Sequence, residues 1–146
     1  MKISTKGRYA LRVMLDLAEN YGDRYISLAE ISSRQEITVK YLEQIISLLS
    51  KADFVESQRG SSGGYRLTRS ADRYSVGEIL RASEGSLCLV SCSETGDCSR
   101  YAECRAVEFW KGLDKVISDY IDSVSLEDIL KKERASAKKD PSIWIL

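Results

Sequence analysis

The sequence predicts a mainly α-helical fold that carries one small β-hairpin. Three observations lead there. Apolar residues recur at three- and four-residue spacing in several separate stretches, which is the spacing of one helix face. The phrase Ser-x-x-acid followed by an apolar residue occurs at Ser27–Ile31, Ser75–Ile79 and Ser125–Ile129. Each copy sets a hydroxyl and a carboxylate where both satisfy free backbone N–H groups, and so marks a helix start. The sequences flanking the three copies differ, so they are three helix starts and not a structural repeat. Finally, a turn rich in Gly and Ser, Gln58–Gly64, separates two short runs of strand character.

Taken in order, Ser4 caps a helix running to about Asn20, with Tyr9, Ala10, Val13, Met14, Leu17 and Ala18 on its apolar face. Tyr21-Gly22-Asp23 ends it, and Ser27 opens a short helix. Thr38 begins another, to about Lys51, with Tyr41, Leu42, Ile45, Ile46, Leu48 and Leu49 apolar. Phe54–Ser57 and Gly64–Thr68 read as the two strands, and residues 75–84 as one more helix. Residues 86–104 read as irregular and hold every cysteine. Residues 106–124 form a long amphipathic helix, with Val107, Trp110, Leu113, Ile117, Tyr120, Ile121 and Val124 on one stripe. A short helix over 125–134 and a linker over 138–140 follow, and the chain ends in an apolar tail, Ile143-Trp144-Ile145-Leu146. A single proline, Pro141, suits so helical a chain. The expected divisions are 1–84, a cysteine-bearing loop 85–105, the long helix and its short follower 106–135, and the tail 136–146.

Composition removes several function classes. Lys+Arg and Asp+Glu are 22 each, hydrophobic residues 43% and charged residues 30%. That is an ordinary globular balance, neither disordered nor collagen-like. No apolar run approaches the roughly 18 to 20 residues of a membrane span, and Met1–Arg8 lacks the apolar segment of a secretory signal. The expectation is a soluble cytoplasmic protein with no membrane partner. Histidine is absent, which excludes His-based catalysis and His metal ligation. With no Gly-x-x-x-x-Gly-Lys phosphate loop and no paired-carboxylate context, the chain does not read as an enzyme. The charge is uneven: residues 1–75 hold 12 Lys/Arg against 9 Asp/Glu, and residues 76–146 hold 10 against 13. The first half suits a polyanionic partner, the second does not.

Two short helices followed by a hairpin make the winged form of the helix-turn-helix. In that arrangement the helix over 38–50 enters the major groove with its first residues at base edges. Gln44 can pair with adenine and Glu43 can accept from cytosine N4, while Lys40 and Tyr41 can hold phosphate. The hairpin tip sets Arg59 in a slim Gly/Ser loop suited to a narrow, electronegative minor groove.

Cys88, Cys92, Cys98 and Cys104 have three, five and five intervening residues, so no Cys-x-x-Cys occurs. That disfavours a zinc ribbon and a thioredoxin-type pair. Disulfides are disfavoured in a cytoplasm. Thiols clustered on a flexible loop suit soft metals, and iron–sulfur clusters prefer cysteine ligands. A zinc site or plain thiols remain open on spacing alone, and Cys88, between Leu87 and Leu89-Val90, also reads as a small core residue.

Three phrases carry a family resemblance: Met1-Lys2-Ile3-Ser4-Thr5-Lys6-Gly7-Arg8-Tyr9-Ala10, Tyr41-Leu42-Glu43-Gln44, and Arg59-Gly60-Ser61-Ser62-Gly63-Gly64-Tyr65-Arg66-Leu67. From residue 1 to about 130 the chain resembles the IscR/NsrR/CymR family of bacterial repressors, the Rrf-two group of winged-helix regulators. The resemblance implies a homodimer on a roughly palindromic double-stranded operator. The implied DNA-contacting set is Ser4, Lys6, Arg8, Thr38, Lys40, Tyr41, Glu43, Gln44, Arg59 and Ser61. The long helix becomes the dimerisation helix, through Val107, Trp110, Leu113, Ile117, Tyr120 and Ile121. The apolar stripe agrees independently, because a lone helix with a full apolar face needs a partner.

The IscR- and NsrR-like members hold an iron–sulfur cluster through three cysteines, and Cys92, Cys98 and Cys104 match that triplet. The CymR branch lacks the cluster. The implied cofactor is therefore an iron–sulfur cluster, 4Fe–4S or 2Fe–2S. The fourth ligand departs from the family: Val107 stands where IscR-like proteins have histidine. Arg8 stands where NsrR-like proteins use an acid, and a guanidinium does not ligate. Cys88, an acid among Glu94, Asp97 and Glu103, or an exogenous ligand could complete the set. Cluster loss to oxidants, nitric oxide or iron shortage is expected to change operator affinity or choice. The ending Ile145-Leu146 resembles the CymR branch, which works with a partner enzyme. A tail packed on the protomer or across the dimer is the preferred reading.

Overall fold

The computed structural model describes residues 2–139. Three helices come first: α1 Thr5–Glu19, α2 Leu28–Gln35 and α3 Val39–Lys51. Strands β1 Val55–Gln58 and β2 Gly64–Leu67 form an antiparallel hairpin, with Val55 opposite Leu67 and Gln58 opposite Gly64. Then follow α4 Val76–Glu84, α5 Ser91–Thr95, α6 Val107–Ser123 and α7 Leu126–Lys139. The fold is mainly α with a small β-hairpin, as the sequence predicts.

The three Ser-x-x-acid phrases act as expected. At Ser27/Glu30 and Ser75/Glu78 the hydroxyl accepts from the third helical N–H while the glutamate accepts from the serine N–H. Asp128 does the same for Ser125: Ser125 N donates to it at 2.9 Å and Asp128 N donates to Ser125 Oγ at 3.1 Å. Each cap satisfies N–H groups that no helical carbonyl can reach.

The core gathers Val13, Met14 and Leu17 of α1, Ile31 of α2, Leu42, Ile45 and Leu49 of α3, and Ile79 of α4. Tyr74 is fully buried with its hydroxyl satisfied: it donates to Phe54 O at 2.9 Å and accepts from Arg69 N–H at 2.9 Å. Leu126 and Leu130 of α7 join the same core, drawn in by an isolated bridge between Ser75 and Ser125.

The structure corrects two sequence expectations. Residues 86–104 are not wholly irregular, since α5 and a single 3-10 turn at Tyr101–Glu103 lie within them. Gly96, left-handed at φ 67°, closes α5 through its N–H to Cys92 O. The helix expected over 125–134 runs on to Lys139, through the stretch read partly as a linker. Ala135, Ala137, Lys138 and Lys139 are good helix formers, and nothing there breaks the ladder. The apolar tail 143–146 lies outside the described residues.

Candidate nucleic-acid interface and cysteine loop

The helix-turn-helix is held by one buried carboxylate. Asp16 on α1 is 4% exposed. Arg34 of α2 donates to both its oxygens, at 3.0 and 2.7 Å, and Gln35 donates at 2.9 Å. These bonds raise the Arg34 pKa above its ordinary value and fix α2 on α1. Glu36 makes the turn in the left-handed region at φ 54°, and Thr38 caps α3 by accepting from Tyr41 N–H at 3.3 Å.

α3 buries Leu42, Ile45, Ile46 and Leu49, which leaves Lys40, Glu43, Gln44 and Ser47 exposed on the outer face. Thr38 is exposed at its start. Tyr41 is half-buried and meets the Tyr9 ring edge-on at 5.6 Å, so it braces α3 on α1 as well as lying beside the outer face. Ser47 belongs to the same face and was missed in the sequence. Its spacing from Lys40, Glu43 and Gln44 is the legible signal.

The hairpin is the wing. Arg59 and Ser61 are exposed at its tip. The wing is anchored at its base: Ile26 and Tyr65 exchange backbone hydrogen bonds at 2.8 and 2.7 Å. Gly64 has φ +152°, and a Cβ there would run into the Ile26 carbonyl, so only glycine fits this approach. Arg24 donates to Glu30 at 2.8 Å, and that bond together with the Ser27 N–H lowers the Glu30 carboxyl to about 2. At the N-terminus Lys6 and Arg8 are exposed, and Arg8 donates to Thr5 Oγ1 at 3.0 Å. Ser4 is half-buried and committed twice: it caps α1 by accepting from Gly7 N–H, and its own N–H and hydroxyl donate to Glu84 at 3.2 and 2.5 Å. Glu84, the last residue of α4, was not singled out in the sequence.

All four cysteines are free, with Cys98 exposed and Cys88, Cys92 and Cys104 half-buried. Successive turns link the triplet: Gly96 N to Cys92 O at 3.1 Å, Tyr101 N to Cys98 O at 3.0 Å, and Cys104 N to Tyr101 O at 3.3 Å. Among the described residues no three Cys, Asp or Glu side chains stand close enough to hold a metal. Three soft thiols on a segment made of single turns fit a thiolate-bound iron site in donor chemistry, and their present placement leaves them apart. Val107 is half-buried at the start of α6. Cys88 is engaged elsewhere, within hydrogen-bond distance of Asp114 on α6.

α6 has no buried residue. It packs by one side on α4 and α5, and Arg81 of α4 pairs with Asp122 at 2.6 and 3.0 Å, lowering the Asp122 pKa. Of the expected dimer residues, Val107, Trp110, Leu113, Ile117 and Ile121 are half-buried and Tyr120 is 65% exposed. Phe109 at 63% and Val116 at 65% lie beside Tyr120 on the free side and were missed. Among the described residues no helix is long and apolar enough to cross a membrane.

A helix-turn-helix with an outward polar helix, joined to an anchored wing, defines a DNA-binding transcription regulator. The chain belongs to the Rrf2 family, "iron-dependent transcriptional regulator", whose family model matches residues 3–132. A helix-turn-helix-type transcriptional regulator of Neisseria meningitidis is 40% identical over 133 residues, 91% of this chain and 90% of that one. Among solved structures, CymR, the global cysteine regulator of B. subtilis, superposes with a TM-score of 0.76 at 36% identity, covering 90% of this chain and 98% of the other. IscR of T. potens gives 0.72 at 39% identity, covering 91% and 88%. These relatives are transcription regulators and not enzymes.

Proposed function

We propose that the chain is a homodimeric repressor that binds a palindromic operator and reads iron–sulfur or redox status through Cys92, Cys98 and Cys104. The observation that carries this reading is the position of the triplet. It occupies the one segment between α4, which closes the DNA-binding unit, and α6, whose free face is apolar. Two copies joined through α6 place two α3 helices and two wings on one duplex, with Lys6, Arg8, Lys40 and Arg59 for phosphate and groove contacts and Glu43 and Gln44 for base edges.

When bound, a cluster of this kind supplies redox-labile iron–thiolate bonds. The chain's own residues do the rest. Cys92 stands in α5, Cys98 in an exposed turn and Cys104 two residues before the final approach to α6. Drawing these three sulfurs together must reorder 92–104 and so bias the placement of α6 against α4. Glu84, bonded to Ser4, ties the front of this segment to the first turn of α1, where Lys6 and Arg8 project. With no histidine in the chain and Val107 at the family's histidine position, a three-cysteine site suits 4Fe–4S better than a histidine-ligated 2Fe–2S cluster.

The likeness to CymR, at a TM-score of 0.76, favours a second reading: a cluster-free thiol regulator. One sample separates the two. Protein purified without oxygen and assayed for visible absorbance, iron, sulfide and zinc is expected to be brown with iron and sulfide, and each of Cys92→Ala, Cys98→Ala and Cys104→Ala is expected to lose the colour. Colourless protein after anaerobic reconstitution would leave the thiol reading. A gel shift on its own upstream DNA, weakening steeply with salt, tests the operator half of the proposal.

A further inference from the structure

One carboxylate of α6, that of Asp114, gathers the start of the cysteine segment. Asp114 Oδ1 accepts from Leu89 N–H at 2.8 Å. Its Oδ2 accepts from Ser93 Oγ–H at 2.5 Å and lies 3.1 Å from Cys88 Sγ. Cys88 Sγ is also 2.9 Å from Ser93 Oγ and 3.0 Å from Val90 O. Both oxygens of Asp114 are thus used, and everything they hold lies between residues 88 and 93. Asp114 itself is half-buried and sits away from the free face of Phe109, Val116 and Tyr120, about a third of a helix turn or more round the axis at 100° per residue. The group is an internal clasp and not part of an outward surface.

Chemistry sets a choice at Cys88. A metal ligand must be a thiolate. A sulfur this close to a carboxylate oxygen has to bring a proton to the contact, because thiolate and carboxylate would be two touching anions with no cation between them. The bond to Asp114 and a place among the iron ligands therefore exclude each other.

We propose that Cys88 stands outside the metal-binding thiol set, and that Asp114 is a positioning residue which, with Ser93 and Cys88, clasps segment 88–93 to α6 and so fixes the end of the loop that carries Cys92. The second half of this statement rests on the cluster reading given above; the clasp itself does not.

Two measurements on the full chain keep them apart. The first uses metal-free reduced protein and follows iodoacetamide labelling of each cysteine by mass spectrometry. Cys88 is expected to react about tenfold or more slowly than Cys98, and Asp114→Ala to bring the two within about twofold. Asp114→Asn, which keeps one acceptor oxygen, should fall between. Equal rates in the parent chain, or an unchanged Cys88 rate in Asp114→Ala, would overturn the clasp. The second reconstitutes the chain anaerobically with ferrous iron and sulfide. Cys88→Ala, which leaves Asp114 its bonds to Leu89 and Ser93, is expected to keep more than half of the parent's visible absorbance and iron per protomer, while Cys92→Ala loses both. Asp114→Ala should lose half or more of the absorbance with unchanged far-ultraviolet circular dichroism. Loss in Cys88→Ala equal to that in Cys92→Ala makes Cys88 a ligand and ends the proposal. A parent chain that takes up no iron defeats the cluster reading instead, and the labelling ratio still decides the clasp.

Discussion

Asp16 lies on the inner face of α1 between Val13 and Leu17, where an apolar residue would be expected, and three donors reach it from α2. Arg34 is 37% exposed in its side chain and Asp16 2%, so the pair is half in water. Removing the carboxylate leaves Arg34 able to find solvent, and the loss is the bidentate bond and the packing. We expect Asp16→Ala to cost about 2–4 kcal/mol, read as a drop in the urea midpoint. A change too small to resolve would show that α2 is held by Ile31 alone. Glu30 gives a pH test. Its folded carboxyl, near 2, lies below its ordinary 4.5. A depressed acid contributes in full above its unfolded value and loses that contribution as pH falls toward the folded one. The midpoint gap between the parent and Glu30→Gln should therefore be wider at pH 6 than at pH 3. An equal gap at both would mean that Glu30 acts by shape and not by charge.

At the scale of elements, capping decides where the helices begin, and Ser75 shows it at the junction of α4 and α7. It accepts from Glu78 N–H at 3.1 Å, and its neighbourhood bridges to Ser125 at the start of α7. Ser75→Ala should lower stability by about 1 kcal/mol, and Ser75→Asp should restore most of it. If Ser75→Asp fell as far as Ser75→Ala, the bridge and not the cap would be the working contact. This layer was legible in the sequence: Ser27, Ser75 and Ser125 announced three helices through residues only three positions apart. The wing was legible for the same reason, since its turn chemistry is local. What was not legible is what distance along the chain hides. Asp16 was passed over because its partners lie 18 and 19 positions on. Glu84 reaches Ser4 across 80 positions, and Asp114 reaches Cys88 across 26. The end of α7 was misplaced for a different reason: Lys and Ala read equally well as solvated linker or as solvated helix.

At the scale of the molecule the question is what covers α6. The apolar arc on this helix is wider than one neighbour can bury. Ile121 and Val124 turn toward a groove shared with Leu11 of α1 and Val76 of α4, while Phe109, Val116 and Tyr120 are left about two-thirds in water. Fully covering a side chain of this size is worth roughly 1.5–3 kcal/mol. Three from each of two copies bring the sum into the range of the roughly 4–15 kcal/mol that association costs, before the half-buried Trp110 and Leu113 add theirs. In the proposed homodimer a second copy of this chain offers the matching surface, because a two-fold axis sets each stripe against itself. Val116→Glu tests this without touching the fold, as Val116 packs on nothing within the protomer's core. The variant should keep its helix content and sediment as a monomer at micromolar concentration. Operator binding should fall much further than one lost contact explains. A dimer that binds at about 10⁻⁹ M draws on two half-sites, and one half-site alone forfeits several kcal/mol, so affinity should drop by about a thousandfold or more. A Val116→Glu chain that still sediments as a dimer would move the interface off this face of α6. With it would go the proposal that copies joined through α6 set two α3 helices on one duplex, since that proposal needs α6 to be the element both copies share.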